Sequence, residues 1–491
     1  MKNYILLILT SIILSYCAPA EKGANKSQNK PNILFIAIDD LRPDLGCYGK
    51  DYIHSPNIDK LAEYGTVFRN HFVQVPTCGA SRFSMLTGIL PKIKGHLRNN
   101  AIEKYIDQQT AVGGTESFIH HLKKNGYYTV GIGKISHSAD GLVYGYTDSL
   151  SNNRELPKSW SELVFNSGKW KTGWNAFFGY ANGENRQSMN RQVKSYEMGD
   201  VDDSGYPDGL TSELALRKLN ELAKKDEPFF LGVGFFKPHL PFNAPKKYWD
   251  LYNEDELPLA PFASIPENSN KASLHGSGEL NGYQLGEEKG SLDSLVSDAY
   301  ARKLRHAYFA SISYIDAQVG KLTSELEKLG LAENTIIVIW GDHGWHLSDQ
   351  MVWGKHTIFE RSLNSTLLIK APGNSNGTMV NKVVSSIDIY PTLMELCEVR
   401  MPHQTDGKSL VSLLTKPEPS WEEASFGYFK NGISLRTERY RLTKYFRNQQ
   451  PEIELYDHQT DPNETKNIAA ENPEIVKQLM PIWKKGNTGI Y

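Results

Sequence analysis

The fold of this chain is constrained most by a series of short, continuous apolar segments of strand length. They lie at Ile33–Ile38, Tyr127–Ile132, Phe229–Val233, Thr335–Trp340 and Ser365–Ile369. Because apolar and polar residues do not alternate in them, the pattern is typical of strands buried on both faces of a parallel sheet. Helical patterns stand between them, at Ser117–Lys124, Glu213–Lys224 and Ala299–Lys328. This alternation predicts an α/β domain with a mainly parallel sheet flanked by helices.

Length and composition set the broad class of protein. A chain of 491 residues is too long for one ordinary core and favours two unequal domains. A hydrophobic share of 40% and a charged share of 22% are typical of a soluble globular protein. Lys and Arg (54) nearly balance Asp and Glu (56), so no overall basic field favours nucleic acid as a partner. An anionic substrate must then be bound by local positive charge inside a pocket.

The first residues have the pattern of an export signal. Lys2 precedes an apolar segment from Tyr4 to Leu14, and Ala18-Pro19-Ala20 resembles a cleavage site. We therefore predict a signal peptide over residues 1–20, a polar linker over 21–30, and a periplasmic or secreted protein. Cys17 leaves the alternative of a lipid anchor open. No segment is long and apolar enough to predict a transmembrane span.

The pattern changes after Pro417-Glu418-Pro419, which predicts a domain boundary. The main domain is expected over residues 31–417 and a smaller α+β subdomain over residues 418–491. The subdomain has strand patterns at Gly432–Thr437, Arg439–Lys444 and Ile453–Tyr456 and a helix at Pro473–Lys485. Within the main domain, Leu142–Gly209 and Asn253–Leu295 show no clear period. Long insertions of this kind more often shape a binding cleft than stabilise the fold.

Polar side chains follow four of the strand-like segments directly. They are Asp39 and Asp40, Lys134 and His137, Lys237 and His239, and Asp342 and His343. In open α/β sheets, ligands bind beyond the carboxyl ends of the strands. The sequence therefore predicts that these four groups converge on one cleft.

The acidic residues of these groups predict a metal site. Taken singly, Asp39-Asp40 and Asp342-His343 also fit a helix cap or a solvated turn. Together they supply three carboxylates and an imidazole at one sheet edge, and carboxylates so close repel unless a cation lies between them. Oxygen-rich ligands favour Ca²⁺, or Mg²⁺, over Zn²⁺.

The segment around Cys78 carries the most specific motif. Cys78 stands in Cys-Gly-Ala-Ser-Arg, followed by Leu86-Thr87-Gly88. A buried thiol in a Pro- and Gly-containing loop is the simpler interpretation. The spacing, however, resembles the sequence at which cysteine is oxidised to formylglycine in type I sulfatases. Those enzymes usually carry Pro where this chain has Ala80.

The resemblance to type I sulfatases extends from Pro31 to about Asn467. Its landmarks are Pro31-Asn32-Ile33-Leu34, Asp39-Asp40, Ser55-Pro56-Asn57-Ile58-Asp59, the Cys78 motif, Gly133-Lys134-Ile135-Ser136-His137, Lys237-Pro238-His239, Gly341-Asp342-His343-Gly344, Lys355, Leu455-Tyr456-Asp457 and Asp461-Pro462-Asn463-Glu464. Within the family the sequence is most similar to the iduronate 2-sulfatase group. The resemblance implies an alkaline-phosphatase-like fold, a sulfatase catalytic domain over residues 31–417 and a formylglycine-generating enzyme as maturation partner.

The resemblance also implies roles for the site residues. Asp39, Asp40, Cys78, Asp342 and His343 are implied as calcium ligands, with many sulfatases carrying Asn where this chain has His343. Among the implied catalytic residues, the formylglycine derived from Cys78 attacks sulfur as its hydrate and Arg82 orients it. Lys134 and Lys355 bind sulfate oxygens, His137 contacts the second hydroxyl, and His239 protonates the leaving oxygen. Lys134, His239 and Lys355 thereby also bind substrate.

The expected reaction is removal of sulfate from a sulfated carbohydrate, with a 2-O-sulfated uronic acid of a polysaccharide as the specific hypothesis. Arg98 is a candidate for binding a carboxylate or second anionic group of that substrate, against the alternative of an exposed surface arginine. Two other functions stay open: a phosphate or phosphonate ester hydrolase of the same superfamily, and a glycan-binding relative without catalysis. The complete set of polar site residues argues against the second of these.

Overall fold

The computed structural model describes residues 30–106, 116–373, 376–415, 420–422 and 424–491. The predicted signal peptide, Cys17 and almost all of the predicted linker lie outside these residues, as does the predicted boundary at 417/418. None of the helices within the described ranges combines the length and apolar character that crossing a membrane requires.

The strands, in chain order, are Asn32–Ile38 (β1), Thr66–Phe72 (β2), Tyr128–Gly133 (β3), Glu162–Val164 (β4), Tyr196–Gly199 (β5), Phe229–Phe235 (β6), Phe242–Pro245 (β7), Thr335–Gly341 (β8), His346–Leu347 (β9), Trp353–Gly354 (β10), Leu367–Lys370 (β11), Thr378–Ser385 (β12), Ser425–Phe429 (β13), Gly432–Arg436 (β14), Tyr440–Tyr445 (β15) and Ile453–Asp457 (β16). The α-helices are Pro56–Ala62 (α1), Cys78–Thr87 (α2), Ala101–Tyr105 (α3), Phe118–Lys124 (α4), Gly173–Phe177 (α5), Pro207–Leu222 (α6), Lys246–Trp249 (α7), Asp298–Lys328 (α8), Glu360–Leu363 (α9), Ile389–Leu396 (α10), Val411–Thr415 (α11) and Pro473–Lys485 (α12).

The main domain is built on an eight-stranded sheet of order β12-β2-β11-β8-β1-β6-β3-β4. Strands β8, β1, β6, β3 and β4 are parallel, which confirms the predicted mainly parallel α/β sheet. Strand β11, predicted at Ser365–Ile369, is instead antiparallel to both of its neighbours. The central register pairs Ile38 of β1 with Gly341 of β8 and with Phe235 of β6, so these three strands end side by side.

Helices cover both faces of this sheet, which explains why β1 is apolar throughout. Leu34, Ile36 and Ile38 point to the side on which α6 and α8 pack. Ile33 and Phe35 point to the opposite side, against α2, α4 and α10. Alternate residues of a strand face opposite sides of its sheet, so a strand in the middle layer of three must be apolar at every position.

The smaller subdomain is an antiparallel sheet of order β13-β14-β15-β16, with α12 packed on it through Leu479 and Trp483. Three of these strands and the helix were predicted, whereas Ser425–Phe429 was not. Buried ion pairs join the subdomain to the main domain. The guanidinium of Arg441 on β15 contacts Glu464 at 2.5 Å and also Glu360 of α9.

Replacing Arg441 with methionine is expected to lower the free energy of unfolding by about 1.5–3 kcal/mol, because Glu360 and Glu464 each lose a buried charged hydrogen bond while Glu360 keeps Arg436 as a partner. Denaturant unfolding measures the loss. The matched control is Arg439→Met, since Arg439 pairs with Asp457 at the surface, where solvent screens the attraction. Equal losses for the two variants would contradict this account of the interface.

The predicted non-periodic region Leu142–Gly209 is ordered by aromatic packing. Trp170, Trp174, Phe177 and Phe178 form a small core with Phe236, which directly follows β6. The region therefore lies over the carboxyl end of the sheet, in the position expected of a segment that shapes a cleft.

Candidate functional site

Two acidic residues occupy the turn that ends β1. The backbone N–H of Asp39 donates to Phe235 O at 3.2 Å, and Asp40 adopts a left-handed backbone conformation with φ of 59°. The N–H of Asp40 in turn donates to Asp342 Oδ1 at 2.9 Å. Because β1 and β8 end together, their acidic residues meet at one edge, as predicted.

Cys78 is the first residue of helix α2, directly beside that edge. Its Sγ lies 3.2 Å from His343 Nε2. The following residue must be glycine, because a Cβ at Gly79 would lie 2.0 Å from the backbone oxygen of Asn99. Burial first, and then the charge of Asp39, raise the pKa of the Cys78 thiol to about 12. The unmodified side chain is therefore a protonated thiol near neutral pH.

Arg82, one turn along α2, is fully buried and links three parts of the site. Its Nε donates to Asp342 Oδ2 at 3.0 Å and one Nη to Asp39 Oδ1 at 3.2 Å. The other Nη donates to the carbonyl oxygens of Lys134 and Ile135. Arg82 therefore fixes the carboxylates and the loop after β3, rather than facing open space.

Two lysines lie beside these carboxylates, and we call Asp39, Asp40, Asp342, Lys134 and Lys355 together the charged floor. Lys134 Nζ lies 2.5 Å from Asp39 Oδ2, and Lys355 Nζ lies 2.9 Å from Asp40 Oδ1. Burial alone would raise the pKa of Asp39, but Lys134, His239 and Arg82 together hold it well below its usual value. For Asp40, burial outweighs the attraction of Lys355 and raises the pKa well above its usual value.

These residues fit a hard divalent cation. Ligand atoms of Asp39, Asp40, Cys78 and His343 all lie within 4.8 Å of one another, and all four residues are buried. Two of the four are carboxylates, whose oxygens are the ligands that Ca²⁺ and Mg²⁺ prefer. Asp342 lies beside the group, but its oxygens accept hydrogen bonds from Asp40 N and Arg82. Its predicted role as a ligand stays a prediction.

Calcium is accordingly expected to raise the unfolding temperature, because an ion that binds only the folded state stabilises it by about 2.7 kcal/mol at a concentration 100 times its dissociation constant. A chelator should reverse the shift, and Asp40→Asn should largely abolish it. Asp293→Asn is the control, since that carboxylate is exposed. Differential scanning calorimetry with and without Ca²⁺ measures the effect; an identical shift in Asp40→Asn would contradict the assignment.

His239 and Glu279 form a pair on the wall above the floor. His239 Nδ1 lies 2.7 Å from Leu240 O, and its Nε2 lies 3.0 Å from Glu279 Oε1. Both ring nitrogens therefore face acceptors, which favours the protonated ring, whereas burial lowers the pKa of His239 to about 4. Burial alone would raise the pKa of Glu279, but Lys355 and His239 hold it well below its usual value, so Glu279 is a carboxylate that orients the His239 ring.

His137 also lines the cavity, with its ring 5.5 Å from that of Trp174. Burial and the neighbouring Lys134 lower its pKa well below the usual value, so the ring is neutral. Its Nδ1 is buried and has no hydrogen-bond partner among the described residues. An unpartnered buried nitrogen is costly, so a bound molecule that pairs with it gains affinity.

These groups open into one cavity of about 480 Å³. Cys78, Lys134, His137, His239 and Lys355 all line it, together with a wall of aromatic rings. The aromatic residues are Tyr146, Trp174, Phe177, Phe178 and Phe429. The predicted convergence therefore extends to a cavity that combines charged side chains with a wall of aromatic rings.

Two residues singled out from the sequence lie elsewhere. Arg98 is exposed and is not among the residues that line the cavity, although its neighbour Asn99 is. Its substrate role stays a prediction. Lys237 donates its Nζ to the carbonyl oxygens of His239 and Pro241, and so stabilises the turn that carries His239.

Sequence reasoning missed Glu279 and Arg186, which both line the cavity. Each comes from one of the two non-periodic insertions. The only available signal was that such long insertions tend to shape a cleft, and this identified the segments but not the residues.

Comparison with known proteins places these features in a family. The family model described as Sulfatase matches residues 31–399, and the model described as N-sulphoglucosamine sulphohydrolase, C-terminal, matches residues 341–485. The iduronate 2-sulfatase of Mus musculus is 32% identical over 384 residues, which are 75% of this chain and 65% of the mouse protein. A sulfatase of Formosa agariphila is 29% identical, over 98% of this chain and 92% of that protein.

Solved structures agree on the fold. The phosphonate monoester hydrolase of Agrobacterium radiobacter superposes with a TM-score of 0.73 at 22% sequence identity, covering 93% of this chain and 96% of that one. At 22% identity this similarity indicates a shared fold.

Proposed function

Because this chain belongs to the sulfatase family, we propose that it hydrolyses the sulfate ester of a sulfated carbohydrate, after Cys78 has been oxidised to formylglycine. One observation carries the proposal. Cys78 lies against a buried carboxylate and histidine group at the floor of a cavity that also presents Lys134 and Lys355. A maturation enzyme that recognises the Cys78 segment is therefore a required partner.

The formylglycine and a divalent cation would supply the nucleophile and part of the positive charge. When present, the hydrated aldehyde offers a hydroxyl as nucleophile, and a divalent cation favours its ionised form and neutralises sulfate oxygens. The protein's own residues bind the sulfate ester and orient it. Lys134 and Lys355 place two ammonium groups at the cavity floor, where they attract sulfate oxygens and stabilise charge that develops on them.

We assign proton transfer and hydrogen bonding to His239 and His137. His239, oriented by Glu279, is the residue to which we assign proton donation to the leaving oxygen, whose departure as an alkoxide would otherwise be slow. The Nδ1 of His137, which has no hydrogen-bond partner among the described residues, can accept a hydrogen bond from a hydroxyl group in the cavity.

The substrate we propose is a 2-O-sulfated uronic acid of a polysaccharide. The similarity to an iduronate 2-sulfatase supports it, as do the aromatic walls, on which sugar rings can pack. The N-terminal pattern supports export to the periplasm or the medium, with or without a lipid on Cys17.

Matched chromogenic esters test the reaction class. An aryl sulfate, the corresponding aryl phosphate and an aryl phosphonate are compared by kcat/KM with enzyme matured by a formylglycine-generating enzyme. We expect the sulfate to be the best substrate. A higher kcat/KM for the phosphonate would replace the proposal with the alternative hydrolase.

A panel of sulfated oligosaccharides tests the substrate. Sulfate release is followed from disaccharides that carry sulfate at a single defined position on a uronic acid or a hexosamine. Preference for the 2-O-sulfated uronic acid supports the proposal, whereas preference for a sulfated hexosamine would overturn its substrate while leaving the sulfatase activity intact.

A further inference from the structure

The cavity is lined by more cationic side chains than are paired with the carboxylates of the charged floor. Lys134 and Lys355 are paired with Asp39 and Asp40, but Arg186 also lines the cavity and makes no ion pair with any described residue. Glu279 is the one carboxylate among the described residues that line the cavity, and its ion pairs go to His239 and Lys355. The charge of Arg186 is therefore available to a ligand.

Arg186 is held in a fixed position. Its guanidinium carbon lies 3.6 Å from the ring centroid of Phe178 and 5.3 Å from that of Tyr283. The backbone N–H of Arg186 donates to Phe178 O at 3.2 Å, which anchors the loop to the same aromatic residue. A planar guanidinium packed on a ring can still donate hydrogen bonds from its edge, and the Nε of Arg186 is buried without a hydrogen-bond partner among the described residues.

Lys430, the other additional cation, is already engaged. Its Nζ donates to Leu274 O at 2.6 Å, which ties the turn after β13 to the main domain. Arg186 is therefore the stronger candidate for a ligand-binding cation.

The position of Arg186 relative to the floor decides what it can bind. Lys134 Nζ lies 4.2 Å from the ring centroid of Phe177, and the rings of Phe177 and Phe178 are 4.7 Å apart. One aromatic pair thus separates the two cations. A sugar unit that directs its sulfate ester to Lys134 can direct a second group to Arg186.

We infer that Arg186 binds a second anionic group of the substrate, so that the preferred substrate carries this group beside the sulfate ester that is cleaved. The inference rests on the proposed sulfatase function. A guanidinium fork suits the planar pair of oxygens in a carboxylate and also binds a sulfate. The assigned chemistry is an anionic oxygen group, and the substrates of the test distinguish its source.

The experiment compares Arg186→Met with Arg186→Lys and with the control Arg191→Met, whose exposed arginine does not line the cavity. The measured quantity is the ratio of kcat/KM for a sulfated uronic-acid disaccharide to kcat/KM for a chromogenic aryl sulfate. A charged hydrogen bond predicts that Arg186→Met lowers this ratio roughly 10- to 100-fold. Arg186→Lys should retain part of it, and Arg191→Met should leave it unchanged.

Two further substrates identify the second group. The first is a disaccharide whose carboxyl group has been reduced. If wild type and Arg186→Met then have the same kcat/KM ratio, the carboxylate is the group that Arg186 binds. If a difference between them persists only when the disaccharide carries a second sulfate, that sulfate is the partner. Equal losses on the disaccharide and the aryl sulfate would overturn the inference while the sulfatase function stands, whereas a wild-type enzyme inactive on every sulfate ester would overturn the function itself.

Discussion

Replacing Cys78 with alanine is expected to lower kcat/KM for a sulfate ester on the order of 10⁴-fold or more, because the nucleophile can no longer be formed. The fold should be retained, since Cys78 is a small buried side chain that makes one close polar contact, with His343. Steady-state kinetics and thermal unfolding of the variant measure the two quantities separately.

A second buried cysteine supplies the matched control. Cys397 is also fully buried but lies at the end of α10, away from the cavity, so Cys397→Ala should remain active. Cys78→Ser distinguishes formylglycine from a simple hydroxyl nucleophile. Serine lacks the second hydroxyl that expels sulfate from the adduct, so the variant should not turn over; sustained turnover by Cys78→Ser would contradict the account.

Replacing Arg82 with methionine is expected to have the largest effect on stability, about 3–5 kcal/mol in the free energy of unfolding. The change leaves Asp342 without its buried cationic partner, Asp39 with Lys134 alone, and the carbonyl oxygens of Lys134 and Ile135 without this donor. Activity should fall as well, because the same guanidinium holds the loop that carries Lys134.

Urea unfolding of Arg82→Met compared with Arg69→Met tests this expectation. Arg69 is an exposed arginine of β2, where substitution usually changes stability by less than about 0.5 kcal/mol. An Arg82→Met variant as stable as Arg69→Met would show that the buried charges are compensated in another way.

The central strands and the charged floor could be predicted from the sequence because one physical constraint determines both. A strand covered on both faces must be apolar throughout, so the apolar segments of the sequence predict β1 and β8. The residue that follows each of these strands must then lie at the edge of the sheet. Asp39, Asp40 and Asp342 were located by that reasoning. The motif beginning at Cys78 predicted the nucleophile through its resemblance to the sulfatase family, and that role stays a prediction.

Strands β2 and β12 escaped prediction because their sequences include polar residues in exposed or half-buried positions. Arg69 and Asn70 interrupt β2, and Asn381 and Lys382 interrupt β12. Both strands lie at one side of the sheet, where the helices cover it less completely.

The cavity wall also could not be predicted residue by residue. The positions of Glu279 and Arg186 depend on tertiary contacts, with His239 in one case and with Phe178 in the other. No local periodicity encodes these contacts. The sequence therefore predicted the residues at the carboxyl ends of the strands better than those of the cavity wall.

The mass of the peptide that contains Cys78 tests the central claim most directly. The enzyme is produced with graded amounts of a formylglycine-generating enzyme, and the aldehyde fraction at Cys78 is measured by mass spectrometry beside the kcat for an aryl sulfate. The account predicts that kcat rises in proportion to the aldehyde fraction and extrapolates to zero without it. Full activity in enzyme whose Cys78 is entirely a thiol would contradict it.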